Sequence, residues 1–160
     1  MRLVLIRHAI AVPSGTPGIA DDERPLTPRG RRRFAAAAAG LAQLVSAPDL
    51  ILTSPLPRAH HTARLAAEAW RLASVRDEPV LAGHDFDAWR ALIDGTQAAV
   101  VALVGHEPSL SQFLAALLGS RDAARFAFKK GGAALVELEA TTPARLLGFW
   151  APRVLRAAGR

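Results

Sequence analysis

The 160-residue sequence contains no cysteine and no long apolar run. Without cysteine, a thiol nucleophile, a thiolate metal site and a disulfide are all excluded. The N-terminal apolar run covers only residues 3–6, and the alanine-rich stretch 34–40 is too short to span a membrane. We therefore expect a cytoplasmic protein with no secretory signal and no membrane anchor.

Lysine is also scarce, since it occurs only at Lys129 and Lys130, and arginine supplies most of the net charge of +6. The arginines are spread along the chain, and no lysine-rich arm or interleaved aromatic platform is present, so nucleic acid is not an expected partner. A cluster between Arg29 and Arg33 is interpreted as a solvated helix face. The alternative is a docking surface for an acidic partner.

The order of apolar and amphipathic segments predicts the fold class. Strand-like runs alternate with helix-like segments, which is typical of βαβ units and a mainly parallel sheet covered by helices. The length fits one domain, and no repeat or linker divides the chain. We expect an α/β fold: a single three-layer α/β/α domain spanning residues 1–160, with antiparallel strands at the edge of the sheet.

The individual elements follow from the same patterns. Thr27 followed by Pro28 is typical of a helix start. The segment 11–26 lacks periodicity and is predicted to be a loop at the mouth of the site. Parallel strands are predicted at residues 3–6, 49–53, 76–81 and 98–104, helices at 28–45, 58–70, 85–93 and 108–118, and antiparallel edge strands at 125–128, 133–139 and 145–150, with turns at 129–132 and 141–143.

Four basic side chains follow the ends of predicted strands. Arg7 and His8 come directly after the first strand, Arg58 lies in the first turn of the helix after the second, and His106 follows the strand that ends at residue 104. Because the carboxyl ends of parallel strands meet at one edge of a sheet, these side chains are expected to converge. Guanidinium and imidazole groups together form a pocket for a phosphoryl dianion. A neutral histidine can also attack phosphorus.

Other titratable residues in the sequence do not predict a metal site. The histidine and carboxylates at His84, Asp85 and Asp87 fit no common metal-ligand spacing, so neither a metal nor another cofactor is expected. The adjacent pair at 60–61 is interpreted as surface histidines. Glu107 has two interpretations: it orients His106, or it adds charge to the first turn of a helix.

Several motifs together resemble the histidine phosphatase superfamily, the phosphoglycerate-mutase-like group with an Arg-His-Gly signature. Ala9 stands where that signature has glycine, which narrows the allowed backbone angles. The short length and the Arg-Pro-Leu-Thr motif are most similar to the SixA-type phosphohistidine phosphatases. The matching segments are Leu5-Ile6-Arg7-His8-Ala9, Arg24-Pro25-Leu26-Thr27, Thr53-Ser54-Pro55 with Arg58, Ala59 and Thr62, and Val104-Gly105-His106-Glu107-Pro108.

This resemblance implies a role for each site residue. His8 would be the phosphorylated nucleophile, and the phosphate would be bound by Arg7, Arg58 and His106, with Arg24 as a further contact. For the acid or base, the sequence offers Glu78 and Asp85, neither of which matches an acid motif of the family.

The absence of a clear acid also suggests a substrate class. An alkoxide leaving group benefits from a positioned acid, whereas an imidazole leaves readily once it is protonated. The expected function is therefore a metal-independent phosphatase that dephosphorylates phosphohistidine on a signalling or phosphotransfer protein and releases inorganic phosphate. Two alternatives stay open: a phosphomonoesterase for small phosphorylated metabolites, and a non-catalytic module that binds a phosphoprotein.

Overall fold

The computed structural model describes residues 1–72, 74–139 and 143–160. In this part of the chain, six strands form one sheet in the order β3-β2-β4-β1-β5-β6. The strands are β1 (Arg2–Arg7), β2 (Leu50–Thr53), β3 (Val75–Asp77), β4 (Val100–Gly105), β5 (Ala133–Glu137) and β6 (Arg145–Trp150).

The central strands are parallel, and the last two are antiparallel. β1 pairs with β4, β4 with β2, and β2 with β3, all in parallel, whereas β5 runs antiparallel to β1 and β6 antiparallel to β5. In the β1–β4 register, Arg7 lies beside Gly105. The residues that follow these strands, His8 and His106, therefore leave the sheet side by side.

Helices cover both faces of the sheet. Along β1, Val4 and Ile6 pack with Phe34 on one side of the sheet, while Leu3 and Leu5 pack with Trp89 on the other. The structure thus confirms the predicted α/β/α arrangement. The helices are α1 (Pro28–Leu44), α2 (Pro57–Trp70) and α5 (Pro152–Ala158) on the first face and α3 (Phe86–Gly95) and α4 (Ser109–Leu117) on the second, with short 3₁₀ turns at Asp21–Glu23, Pro79–Ala82 and Ala123–Phe126.

The start of α1 confirms the predicted cap. The Thr27 hydroxyl accepts a hydrogen bond from the Gly30 amide at 2.9 Å, and Pro28 occupies the first turn, where its missing N–H is not needed. Gly30 is also required sterically, since a Cβ at this position would lie 2.0 Å from the carbonyl oxygen of Ile10. This contact seats α1 directly behind the end of β1.

Three predicted strands are wrong in whole or in part. The strand predicted at 76–81 ends at Asp77, because Pro79 cannot donate to a strand ladder and begins a 3₁₀ turn instead. The segment 125–128 is not a strand: its first residues belong to a 3₁₀ turn, and the Phe128 carbonyl accepts from Arg7. The strand predicted at 133–139 ends at Glu137, and residues 141 and 142 of the last predicted turn lie outside the described residues.

The sequence patterns did not predict α5. This seven-residue helix begins at Pro152 and packs on α1, where Gly40 and Gly159 allow the two backbones to touch. A Cβ on Gly40 would lie 1.8 Å from the carbonyl oxygen of Leu155. Seven residues are too few to show helical periodicity, so tertiary packing defines this element.

Candidate active site

Three neighbouring strand ends bring polar side chains together at one edge of the sheet. His8 follows β1, Ser54 follows β2 and His106 follows β4. The ring centroids of His8 and His106 are 5.2 Å apart, and Arg58 reaches the same edge from the first turn of α2. His8 and Arg58 are each only 6 % exposed. The topology thus places them where an open α/β sheet binds its ligands.

One hydrogen bond sets the tautomer of His8. Its Nδ1 lies 2.8 Å from the carbonyl oxygen of Ala9, its own neighbour in the chain. Because a carbonyl oxygen only accepts, Nδ1–H is the donor, and in the neutral ring Nε2 carries the free lone pair. The backbone is held as well, since the His8 amide donates to Gly105 and its carbonyl accepts from Gly131. The ring therefore presents a fixed nucleophilic nitrogen.

Both histidines are neutral at physiological pH. The pKa of His8 is lowered to about 3, mainly by burial; the hydrogen bond to Ala9 opposes this shift, and the charges of His106, Arg58 and Arg7 add to it. Burial, followed by the charge of Arg58, lowers the pKa of His106 to about 4. A neutral imidazole is the form that can act as a nucleophile.

His106 is held by Ser54. The Nε2 atom lies 2.8 Å from the Ser54 hydroxyl, which can donate or accept and so suits either tautomer. The other ring nitrogen, Nδ1, is buried and has no hydrogen-bond partner among the residues that the structure describes. Ser54 belongs to the Thr-Ser-Pro motif, but no pattern in the sequence predicted this contact with His106.

Arg7 is partly buried and Arg58 is buried, and a hydrogen bond holds one nitrogen of each guanidinium. Arg7 Nη1 donates to the Phe128 carbonyl at 2.6 Å, and Arg58 Nη1 donates to the Asp21 carbonyl at 2.7 Å. The Nε–H groups of both arginines are buried and find no partner within residues 1–72, 74–139 and 143–160. Buried donors without partners are costly, and a tetrahedral oxyanion would satisfy them.

Asp21 is a site residue that the sequence patterns did not single out. Its carboxylate accepts from Arg24 Nε at 2.9 Å and lies 3.7 Å from Arg58 Nη2. The Ser14 hydroxyl and Arg24 lower the pKa of Asp21, so the carboxylate is ionised at neutral pH. It therefore links Arg24, which also donates to the Val12 carbonyl, to the buried Arg58. The sequence signal that could have indicated Asp21 is the acidic triplet 21–23, just before Arg24.

Glu107 lies behind Arg7. Its carboxylate accepts from the Ser111 hydroxyl at 2.7 Å and from the Phe128 amide at 3.4 Å. Burial lowers the pKa of Arg7, and the charge of Glu107 opposes this shift. Glu107 thus supports the loop that holds Arg7, and its contact with Ser111 in the first turn of α4 agrees with the interpretation that it adds charge to that turn.

Thr62 connects the end of β1 to α2. Its hydroxyl accepts from the Ala9 amide at 3.0 Å and donates to the Arg58 carbonyl at 2.6 Å. The two non-glycine residues with positive φ in the described chain are Arg71 and Gln97, so Ala9 has an ordinary backbone conformation. Alanine therefore replaces the signature glycine here without backbone strain.

The two predicted acid or base residues have other partners. Glu78 forms an ion pair with Arg76 at 2.5 Å, and Asp85 accepts from the Ala88 amide at 3.0 Å, which caps α3. In the described ranges, no hydrogen bond or ion pair joins either carboxylate to His8 or His106. The structure thus brings Arg7, His8, Arg24, Arg58 and His106 to one edge of the sheet. Glu78 follows β3 at that same edge, where its amide donates to the Thr53 carbonyl, whereas Asp85 lies at the start of α3.

The surface interpretation of the other histidines is wrong for His61: it is partly buried, its Nδ1 has no hydrogen-bond partner among the described residues, and burial lowers its pKa. His60 Nδ1 lies 2.8 Å from Asp77, and His84 is exposed. Among the described residues, no three histidine, aspartate or glutamate side chains form a cluster that could hold a metal ion. In the same residues, no helix is both long enough and apolar enough to cross a membrane.

Comparison with known proteins agrees with the fold. The chain is 33 % identical over 136 residues to an uncharacterised protein of Picosynechococcus sp., covering 82 % of each chain. A solved structure assigned as the phosphohistidine phosphatase SixA of Agrobacterium tumefaciens is 28 % identical, with a TM-score of 0.80 and coverage of 94 % of this chain and 97 % of that one.

A second solved structure of the same fold comes from Escherichia coli and is assigned as an alpha-ribazole-5′-P phosphatase. It is 23 % identical, with a TM-score of 0.78, and the match covers 95 % of this chain and 98 % of that one. The family model of the histidine phosphatase superfamily, branch 1, matches residues 3–98, which include Arg7, His8 and Arg58. The chain therefore belongs to the histidine phosphatase superfamily.

Proposed function

We propose that this protein removes the phosphoryl group from phosphohistidine on a partner protein, through a covalent intermediate on His8. Membership of the superfamily supports phosphatase activity in general. The main observation behind the proposal is the neutral His8, whose free Nε2 lies among buried guanidinium donors that lack partners. The arrangement suits attack on a dianionic phosphoryl group.

The first step transfers the phosphoryl group. The Nε2 lone pair of His8 forms a bond to phosphorus while the bond from phosphorus to the substrate imidazole breaks. The Nε–H groups of Arg7 and Arg58 stabilise the charge on the phosphoryl oxygens. The leaving imidazole nitrogen takes a proton from a water molecule, so it departs as a neutral ring and leaves a hydroxide ion in solution.

The second step is hydrolysis. A water molecule attacks the phosphorus on His8, the bond from phosphorus to Nε2 breaks, and inorganic phosphate leaves. His8 returns to its neutral form without gaining a proton, since Nδ1–H keeps its hydrogen bond to Ala9 throughout. No metal ion takes part in either step.

The surroundings of the histidines favour a phosphohistidine substrate. Glu78 and Asp85 are engaged elsewhere, and Asp21, whose charge acts on His106, is ionised. A site without a carboxylic acid beside the leaving group suits an imidazole better than an alkoxide. The similarity to the Agrobacterium tumefaciens protein supports the same substrate class.

A second candidate is a phosphomonoesterase for small metabolites. It is favoured by the similarity in fold to the alpha-ribazole-5′-P phosphatase of Escherichia coli. The chemistry at His8 would be the same, with a phosphate ester in place of the phosphoramidate. The two candidates differ in which substrates are hydrolysed fastest.

A substrate panel tests the proposal. Phosphate release is measured from a phosphohistidine-bearing phosphotransfer protein and from a set of small phosphomonoesters, with the wild type, with His8→Ala, and with His84→Ala as the control at an exposed histidine. We expect preferential release from the phosphoprotein, lost in His8→Ala and unchanged in His84→Ala. Faster hydrolysis of the small esters would favour the second candidate, and binding without release would indicate a binding module.

A further inference from the structure

A groove lined by basic residues lies next to the end of β1. It consists of two adjoining pockets, one of about 60 Å³ and one of about 410 Å³, which share Arg33, Pro152 and Arg156. The cations that line it come from α1, from the loop after Phe128 and from α5. We call it the basic groove; its charged residues are Arg33, Lys129, Lys130, Arg153 and Arg156.

The positive charge of the basic groove is not compensated by the protein. Within residues 1–72, 74–139 and 143–160, none of its five cations takes part in an ion pair. The four remaining residues, at positions 73 and 140–142, carry no acidic side chain. Burial and the charges of Arg33 and Arg160 lower the pKa of Arg156. Like charges held this close repel each other, and an anionic ligand would relieve the repulsion.

Packing between α1 and α5 holds these charges together. Gly40 and Gly159 bring the two helix backbones into contact, and Leu155, next to Arg156, is fully buried against α1. Arg33, about two turns before Gly40 on α1, lines the same pocket as Arg156. The packing of α1 on α5 in the folded core therefore holds Arg33 close to Arg156.

The basic groove also adjoins the nucleophile. Ala9, the residue after His8, lines its narrower pocket together with Gly131. The Gly131 amide lies 3.1 Å from the carbonyl oxygens of both Arg7 and His8. A protein that presents a phosphohistidine to His8 must therefore cover surface within a few residues of the basic groove.

We propose that the basic groove binds an acidic segment of the phosphorylated protein substrate. This inference rests on the proposed function and adds the chemistry by which the partner is recognised. Every charged lining residue is a cation, so the ligand is anionic, and the wider pocket has room for a few side chains. Phe34 is buried and offers no exposed ring on which a base could stack, which favours carboxylates over nucleic acid.

Binding is tested first with a fluorescein-labelled peptide of eight glutamates on protein carrying His8→Ala. The groove variant combines Arg33→Glu and Arg153→Glu, and the control combines Arg32→Glu and Arg121→Glu, all four positions being exposed. Each Arg→Glu change removes two charge units, so both double variants fall from +6 to +2. We expect the groove variant to raise the Kd about tenfold at low salt and the control to change it by less than about twofold.

Equal weakening in both double variants would overturn the proposal, because bulk charge would then explain binding. It would also be overturned if the peptide does not bind, or if a duplex DNA of matched charge binds the groove more tightly than the peptide. Circular dichroism checks that both variants fold. None of these measurements needs phosphatase activity, so they stand even if the proposed function fails.

Kinetics with the active enzyme form the second arm. We expect the groove variant to raise KM for an acidic phosphohistidine protein about tenfold at unchanged kcat, and to leave hydrolysis of a small phosphoramidate as in the wild type. A parallel loss on the small substrate would place the effect in the catalytic pocket and overturn the proposal. Absence of all hydrolysis in the wild type would instead count against the proposed function.

Discussion

The charge of the site depends on single side chains whose environments differ sharply. His8 and His106 are kept neutral mainly by burial, while Arg7 and Arg58, whose charges act on both rings, each keep a buried Nε–H without a partner among the described residues. Asp21 is the exposed counterpart, a carboxylate on the rim that neutralises part of the positive charge. At the residue scale, the affinity of the pocket for an oxyanion reflects a balance between buried cations and this one rim carboxylate.

Replacing Asp21 shifts this balance. We expect Asp21→Asn to bind inorganic phosphate severalfold more tightly, because the charge that competes for Arg24 and Arg58 is removed. The inhibition constant of phosphate in the hydrolysis assay is the measurement. Asp22→Asn, at the exposed neighbouring position, is the control. Unchanged inhibition by phosphate in Asp21→Asn would mean that the carboxylate does not compete with the ligand.

At the element scale, the sequence patterns predicted most of the fold but not the last helix, α5. The buried strands, the cap at Thr27 and the strand-end positions of His8 and His106 follow from short-range signals in the sequence. α5 does not, because it depends on a close contact between Gly40 and Gly159 that no local pattern encodes. Asp21 was missed for a related reason: its partner Arg58 lies 37 residues away.

The α1–α5 contact gives a direct test of this packing. We expect Gly40→Ala to lower the free energy of unfolding by about 2 kcal/mol, because the new Cβ would lie 1.8 Å from the Leu155 carbonyl oxygen. Denaturant unfolding followed by circular dichroism measures the change. Gly95→Ala in α3 is the matched control, since its Cβ would meet nothing within 4 Å. Equal stability of the two variants would show that α5 moves away without cost.

At the scale of the whole molecule, the buried His8 and the partly buried His106 link folding to pH. Their pKa values fall from about 6.5 in the unfolded chain to about 3 for His8 and about 4 for His106 in the folded protein. Between the folded and the unfolded pKa values, the unfolded chain binds more protons than the folded protein does. The free energy of unfolding therefore decreases as pH falls below about 6.5.

We expect the protein to lose about 1–2 kcal/mol of stability for each of these two histidines between pH 7.5 and pH 5. Denaturant unfolding at the two pH values measures the loss. His106→Gln should reduce the pH dependence, while His84→Gln, at an exposed position, should retain it. A wild-type protein with the same stability at both pH values would contradict the burial of neutral histidines.

The contact between the His8 ring and Ala9 has a consequence for the isomer of the intermediate. Because Nδ1–H is directed at the Ala9 carbonyl oxygen at 2.8 Å, the nitrogen nearest the backbone cannot accept phosphorus without losing this bond. In the proposed reaction the phosphoenzyme therefore forms as a single regioisomer, substituted at the imidazole nitrogen remote from the main chain. Phosphorus NMR of the trapped intermediate would give one phosphoramidate resonance, with the chemical shift of the Nε2-linked species.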